Sequence, residues 1–136
     1  TIASQRATTE GQSRTILGRR CRCHLWDPRT LGDIKAMPLA EAEKEYGGLG
    51  MLRRAFTYKA LNKLIQGSAA DQTKKAMVDC YAENFTPMLT VHDELCFSVQ
   101  NEEQAKRITE IMETGLPLNV PTRVDCEMGD NWGEAG

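Results

Sequence analysis

In the stretch MLTVHDELCFSV, residues 88–99, an imidazole and two carboxylates stand side by side at His92, Asp93 and Glu94. Apolar runs flank them, Met88–Val91 before and Leu95–Val99 after, so the triplet reads as the tip joining two short strands. Such a tip ordinarily carries Asn-Gly or Asp-Gly. Adjacent carboxylates repel, and a cation between them offsets that repulsion. Hard oxygen donors of this kind suit Mg²⁺, which takes carboxylates and phosphate oxygens in preference to nitrogen or sulfur. A solvated acidic turn would carry the same three residues.

A second set of polar residues lies upstream. Arg54, Tyr58, Asn62 and Gln66 recur every fourth residue, with Lys59 and Lys63 beside them. On a helix this spacing stacks side chains into one ridge. The donors and acceptors along it are of the kind that meet sugar-phosphate and base edges. An ordinary solvated helix face fits the same pattern.

Residues 51–83 contain no proline and repeat apolar residues with a helical period, which predicts one long helix. Gly67-Ser68-Ala69-Ala70 inside it is a small-residue patch where the helix can bend or another backbone can come close. Residues 101–115 predict a second helix, with Asn101 as N-cap, acids in the first turn, Ala105, Ile108, Ile111 and Met112 inward, and Gly115 as the stop. Residues 15–28 read as strand or hairpin closed by Asp27-Pro28, residues 29–50 as a charged connection with a short helix from Pro38, and residues 120–128 as a strand. Residues 1–13 are polar and without period, which predicts a connecting segment. The expected class is α+β: a small antiparallel sheet with a catalytic-type hairpin, packed against a long helix and a second shorter one.

The 136 residues have room for one domain or part of a larger one. Net charge is −2, but residues 1–75 hold 14 Lys+Arg against 7 Asp+Glu, and residues 76–136 hold 3 against 12. The basic half suits a polyanion, and the acidic half can contain metal ligands. Five cysteines without a CxxC pair argue against a disulfide framework, and Cys21-x-Cys23-His24 lacks the spacing and second half of a zinc site. No run of about 20 apolar residues is present to span a bilayer. No membrane partner and a cytoplasmic location are expected. The chain begins with Thr1, so a piece of a longer or processed polypeptide is expected.

Taken together, ALNKLIQGSAADQTKKAM (60–77) followed by VHDE (91–94), with TILGRR (15–20) before and GDNW (129–132) after, resembles the C-terminal palm region of the A-family DNA polymerases, the bacterial polymerase I and phage replicative type. The resemblance runs from about residue 11 to residue 133. It implies a palm region at 14–133, between a connecting segment at 1–13 and a tail at 134–136. It also implies that Asp93 is a catalytic metal-ligating aspartate which, with a second aspartate from elsewhere, holds two Mg²⁺ ions. Glu94 matches a supporting acid beside the metals, and His92 a residue near the primer terminus. Asn62 and Gln66 match residues that touch template-primer DNA in the minor groove, and Arg54, Tyr58, Lys59, Lys63, Arg19 and Arg20 are the further candidates for nucleic-acid contact. Position 58 departs from the pattern: arginine is common there, and this chain has Tyr58, which leaves Arg54 or Lys59 to supply the charge.

The other metal-binding aspartate and the residues that grip the incoming dNTP lie upstream in that family. The resemblance therefore implies a partnership with the N-terminal remainder of a polymerase, in the host cytoplasm if phage-encoded, and an isolated fragment that does not polymerise DNA. The alternative is a non-catalytic DNA-binding module derived from such a palm. A nuclease using Asp93 and Glu94 would need further acids or a lysine in range, and no matching motif is present.

Overall fold

The computed structural model describes residues 1–30 and 35–135, and the chain divides into two compact units, Thr1–Ser68 and Ala69–Gly136. The charged connection read at 29–50 includes residues 31–34, which lie outside the described residues.

The first unit opens with α1, Ile2–Thr9, where the sequence predicts a connecting segment. Thr1 supplies the missing signal: its side chain accepts from the Ser4 amide and so caps the helix. Ala3 and Ala7, four apart and both buried, give α1 its packing face against Cys23, Ala60 and Leu64. Next come β1, Gln12–Arg14, and β2, Arg20–Arg22, an antiparallel pair in which Ser13 faces Cys21.

Strand β3, Leu25–Pro28, lies between β4, Met37–Pro38, and β5, Leu52–Arg54, both antiparallel to it. Asp27 and Pro28 thus belong to a strand instead of closing one. Helix α2, Leu39–Tyr46, starts after Pro38 as the sequence indicates. Its Ala42 packs with Met37 and Leu52, and Trp26, Leu39 and Tyr46 cover them.

The long helix begins later than its periodicity implies. Residues 52–54 are drawn into pairing with β3, Phe56 takes a left-handed conformation (φ 58°), and a single 3-10 turn, Thr57–Lys59, precedes α3, Ala60–Ala82. A left-handed residue cannot continue a right-handed helix. Beyond Ala60 the helix runs unbroken through Gly67.

In the second unit, β6, Pro87–Val91, and β7, Glu94–Phe97, form an antiparallel hairpin with a register shift between Pro87 and Leu89. Helix α4, Glu102–Thr114, has the features predicted for it: the Asn101 side chain accepts from the Gln104 amide, Glu102 and Glu103 occupy the first turn, and Ala105, Ile108 and Ile111 are buried. Cys80 of α3 packs with Ile108 and Ile111, and Phe85, Phe97, Val99 and Met112 surround them. This cluster joins α3, α4 and the hairpin into one core and fixes the base of β7. Residues 120–128 form no strand; alternation there has no partner to pair with, and the Val124 amide donates instead to Glu113 Oε1. The class is α+β as expected, with three small antiparallel sheets among the described residues in place of one.

Candidate functional site

The hairpin turns in two residues. Val91 pairs with Glu94, so His92 and Asp93 alone make the tip. His92 supplies the left-handed residue (φ 54°) that such a tight reversal needs and that glycine or asparagine ordinarily provides. A non-glycine residue held in this region costs on the order of 1 kcal/mol. His92, Asp93 and Glu94 are all exposed, while Leu95, Cys96 and Phe97 are half-buried behind them. The acids therefore stand on a short, anchored ribbon with their oxygens open to solvent.

As a metal site this tip is a partial one. Among the described residues no group of three or more His, Cys, Asp or Glu side chains could hold an ion. Mg²⁺ commonly takes one or two protein carboxylates and completes its shell with water and phosphate oxygens, so the chemistry of Asp93 and Glu94 fits that ion. Cys23 is buried and Cys21 half-buried, and with His24 they form no such group either. All five cysteines are free thiols. Burial pushes the Cys80 thiol up from its ordinary pKa, with the Asp79 and Glu83 carboxylates adding to the shift, so it stays protonated and inert.

The upstream polar residues do not form the four-member ridge. Asn62, Lys63 and Gln66 lie exposed on the first turns of α3, with Asn62 and Gln66 four apart and on one face. Tyr58 and Lys59 sit in the 3-10 turn before the helix, outside its repeat. Tyr58 is 72% exposed, and the Lys59 ammonium lies 5.7 Å from its ring centre and 5.1 Å from that of Phe56. Arg54 is removed from the ridge altogether. It ends β5, stacks on Trp26 at 4.5 Å and donates from Nη1 to the Cys23 carbonyl at 3.1 Å. Gly11, at φ +71°, makes room for it, because a Cβ there would lie 2.7 Å from Arg54 Cζ. Arg54 is thus a packed residue of the first unit. Arg20 projects from β2 and is exposed; Arg19 is exposed as well, but its Nη2 donates to the Gly67 carbonyl at 2.7 Å.

Thr15 escaped the sequence reading, whereas Ser68 lies in the small-residue patch, 67–70, where a close approach of another backbone is expected. Thr15 is 4% exposed, its hydroxyl accepts from the Arg19 amide, and the Ser68 hydroxyl accepts from the Ile16 amide. The one available signal was the Gly-Ser pair within a helix, which marks a close approach.

The second unit thus carries a solvent-facing acidic tip on a core-anchored hairpin, and the first, basic unit carries an exposed Asn/Gln helix face. Comparison with known proteins gives the family. A model of DNA polymerase family A matches residues 2–134. A DNA-directed DNA polymerase of Pseudomonas phage M6 is 48% identical over 80 residues, 59% of this chain and 12% of its own length. DNA polymerase I of Synechocystis sp. is 35% identical over 141 residues, covering 95% of this chain and 14% of that protein. Among solved structures, the POL domain of Pol1 from M. smegmatis, in complex with DNA primer-template and dNTP, superposes with a TM-score of 0.68 at 29% identity, over 98% of this chain and 22% of the other. The chain belongs to DNA polymerase family A. It spans about an eighth of the length of these curated relatives.

Proposed function

We propose that this chain supplies the metal-ligating hairpin and a DNA-facing helix to a template-directed DNA polymerase, whose remaining parts carry the other ligands and the dNTP grip. The observation that carries the reading is the two-residue tip, which presents Asp93 to solvent on a ribbon fixed by the Cys80, Ile108 and Ile111 core. In this reading Asp93 gives its carboxylate to the metal pair, and Glu94 adds a second oxygen donor beside it. His92 sets the turn and lies near the primer terminus. Asn62 and Gln66 offer amides to the minor-groove edges of the template-primer, where a side-chain donor meets purine N3 and pyrimidine O2 acceptors irrespective of A·T order. Lys63 and Arg20 add sequence-independent attraction to phosphates. Two Mg²⁺ ions, when bound, would acidify the primer 3′-hydroxyl and neutralise charge on the leaving pyrophosphate.

Primer extension by the polymerase assembled from this segment and its upstream remainder tests the assignment. Asp93→Ala is expected to lower extension by several orders of magnitude while primer-template binding persists. Extension that survives this substitution overturns the role of Asp93. A chain that binds primer-template through Asn62 and Gln66, yet never supports extension with any upstream partner, would instead be a DNA-binding module.

A further inference from the structure

The turn at residues 15–19, between β1 and β2, is closed on itself and fastened to α3 at one place. Within the turn the Gly18 amide donates to the Thr15 carbonyl at 2.9 Å and the Thr15 amide to the Arg19 carbonyl at 2.9 Å. The Arg19 amide donates to Thr15 Oγ1 at 3.0 Å. Across to the helix, Arg19 Nη2 donates to the Gly67 carbonyl at 2.7 Å, and the Ile16 amide to Ser68 Oγ at 3.1 Å. Ser68 Oγ in turn donates to the Leu64 carbonyl at 2.7 Å, so the hydroxyl is used as both donor and acceptor. Gly67 is what permits the approach: a Cβ there would lie 2.7 Å from Thr15 Cγ2. A helix-interior glycine costs roughly 1 kcal/mol relative to alanine, so its presence needs a packing reason, and this contact is one.

We infer that Arg19 is a positioning residue, which clamps the 15–19 turn to α3 at Gly67 and so holds Arg20 and Gln66 in register, with Arg20 and not Arg19 making the phosphate contact. The chain itself gives the logic. The clamped guanidinium belongs to the residue immediately before Arg20, and the clamped carbonyl to the residue immediately after Gln66. A charge-assisted bond to a carbonyl fixes the peptide on either side of each. The DNA half of the inference rests on the polymerase reading; the clamp does not.

Two measurements on the 136-residue chain separate the possibilities. The first is hydrogen exchange of the Ile16 amide, made without DNA. Arg19→Ala and Ser68→Ala should each speed it by about tenfold, the equivalent of one lost hydrogen bond, and Gly67→Ala should do the same by forcing the turn away. Arg19→Lys, which keeps a single donor, should restore part of the protection. The second is primer-template affinity as a function of salt. Arg20→Ala should reduce the log–log slope by about 0.9, the signature of one lost phosphate contact. Arg19→Ala should change affinity and slope no more than Ser68→Ala does, since both break the same clamp. A slope that falls by about one more in Arg19→Ala than in Ser68→Ala overturns the inference, as does unchanged Ile16 exchange in Arg19→Ala. Absence of salt-dependent binding by the unmodified chain would overturn the phosphate contact assigned to Arg20, while the exchange data still judge the clamp.

Discussion

Arg54 illustrates how spacing alone can misplace a side chain. Its four-residue separation from Tyr58 put it on a DNA-facing ridge, but its guanidinium is occupied by the Trp26 ring and the Cys23 carbonyl. A planar, forked guanidinium stacks on the ring and donates to the carbonyl at the same time, which the compact ammonium of lysine does less well. Arg54→Lys is therefore expected to destabilise the first unit by about 1–2 kcal/mol, read from the midpoint of urea unfolding. Equal midpoints for the two proteins would show that the stack and bond contribute nothing. The acidic triplet was more legible than the ridge because it needs only a local event, the reversal of two adjacent strands. The backbone conformation that makes it possible, a histidine at positive φ, leaves no trace in composition. Asn62 and Gln66 kept their shared face because they lie wholly within α3.

At the level of elements, α4 was readable end to end because its signals are local: a capping side chain, first-turn acids and an apolar period. Asn101→Ala removes the acceptor for the Gln104 amide and should cost about 1 kcal/mol of stability in the second unit. Calorimetry comparing Asn101→Ala with Asn101→Ser would check this, since serine retains a cap. The failures were of another kind. Residues 52–54 have a helical pattern but pair with β3, and residues 120–128 alternate but find no strand; in both cases a long-range partner, present or absent, decides the state. The α4–α3 junction also carries a pH dependence. Arg107 donates from Nε and Nη2 to the two Glu83 carboxylate oxygens at 2.8 and 2.7 Å, and these bonds hold the Glu83 carboxyl below its ordinary value. A carboxyl depressed in the folded state contributes stability above its unfolded pKa, and the contribution disappears as pH falls through the folded one. Thermal unfolding of the parent chain and Glu83→Gln should accordingly differ at pH 7 and converge toward pH 3. A gap that widens on acidification would contradict the pairing.

For the whole molecule, the division into two units follows the charge pattern seen in the sequence, basic toward the amino terminus and acidic toward the carboxyl terminus. This separation matches the two tasks proposed for them, attraction of a polyanion and retention of cations. Among the described residues, Leu52 and Cys80 are the largest side chains that are fully buried. The clusters of both units centre on small residues, cysteines and a few aliphatics, while Ile65, Tyr81, Met88 and Trp132 remain largely exposed. Among the described residues no helix is long and apolar enough to cross a membrane.

The β6–β7 ribbon has a further consequence for anyone handling the chain. A sheet of two strands leaves each with a side unpaired among the described residues, and β6 also displays Met88 and Leu89 outward. Such a margin is a template on which a second ribbon can add. Concentrated samples should turn turbid on standing, and Met88→Lys, which sets a charge on the sticky side, should keep them clear for longer. Equal light scattering from both proteins over days would locate the adhesion elsewhere.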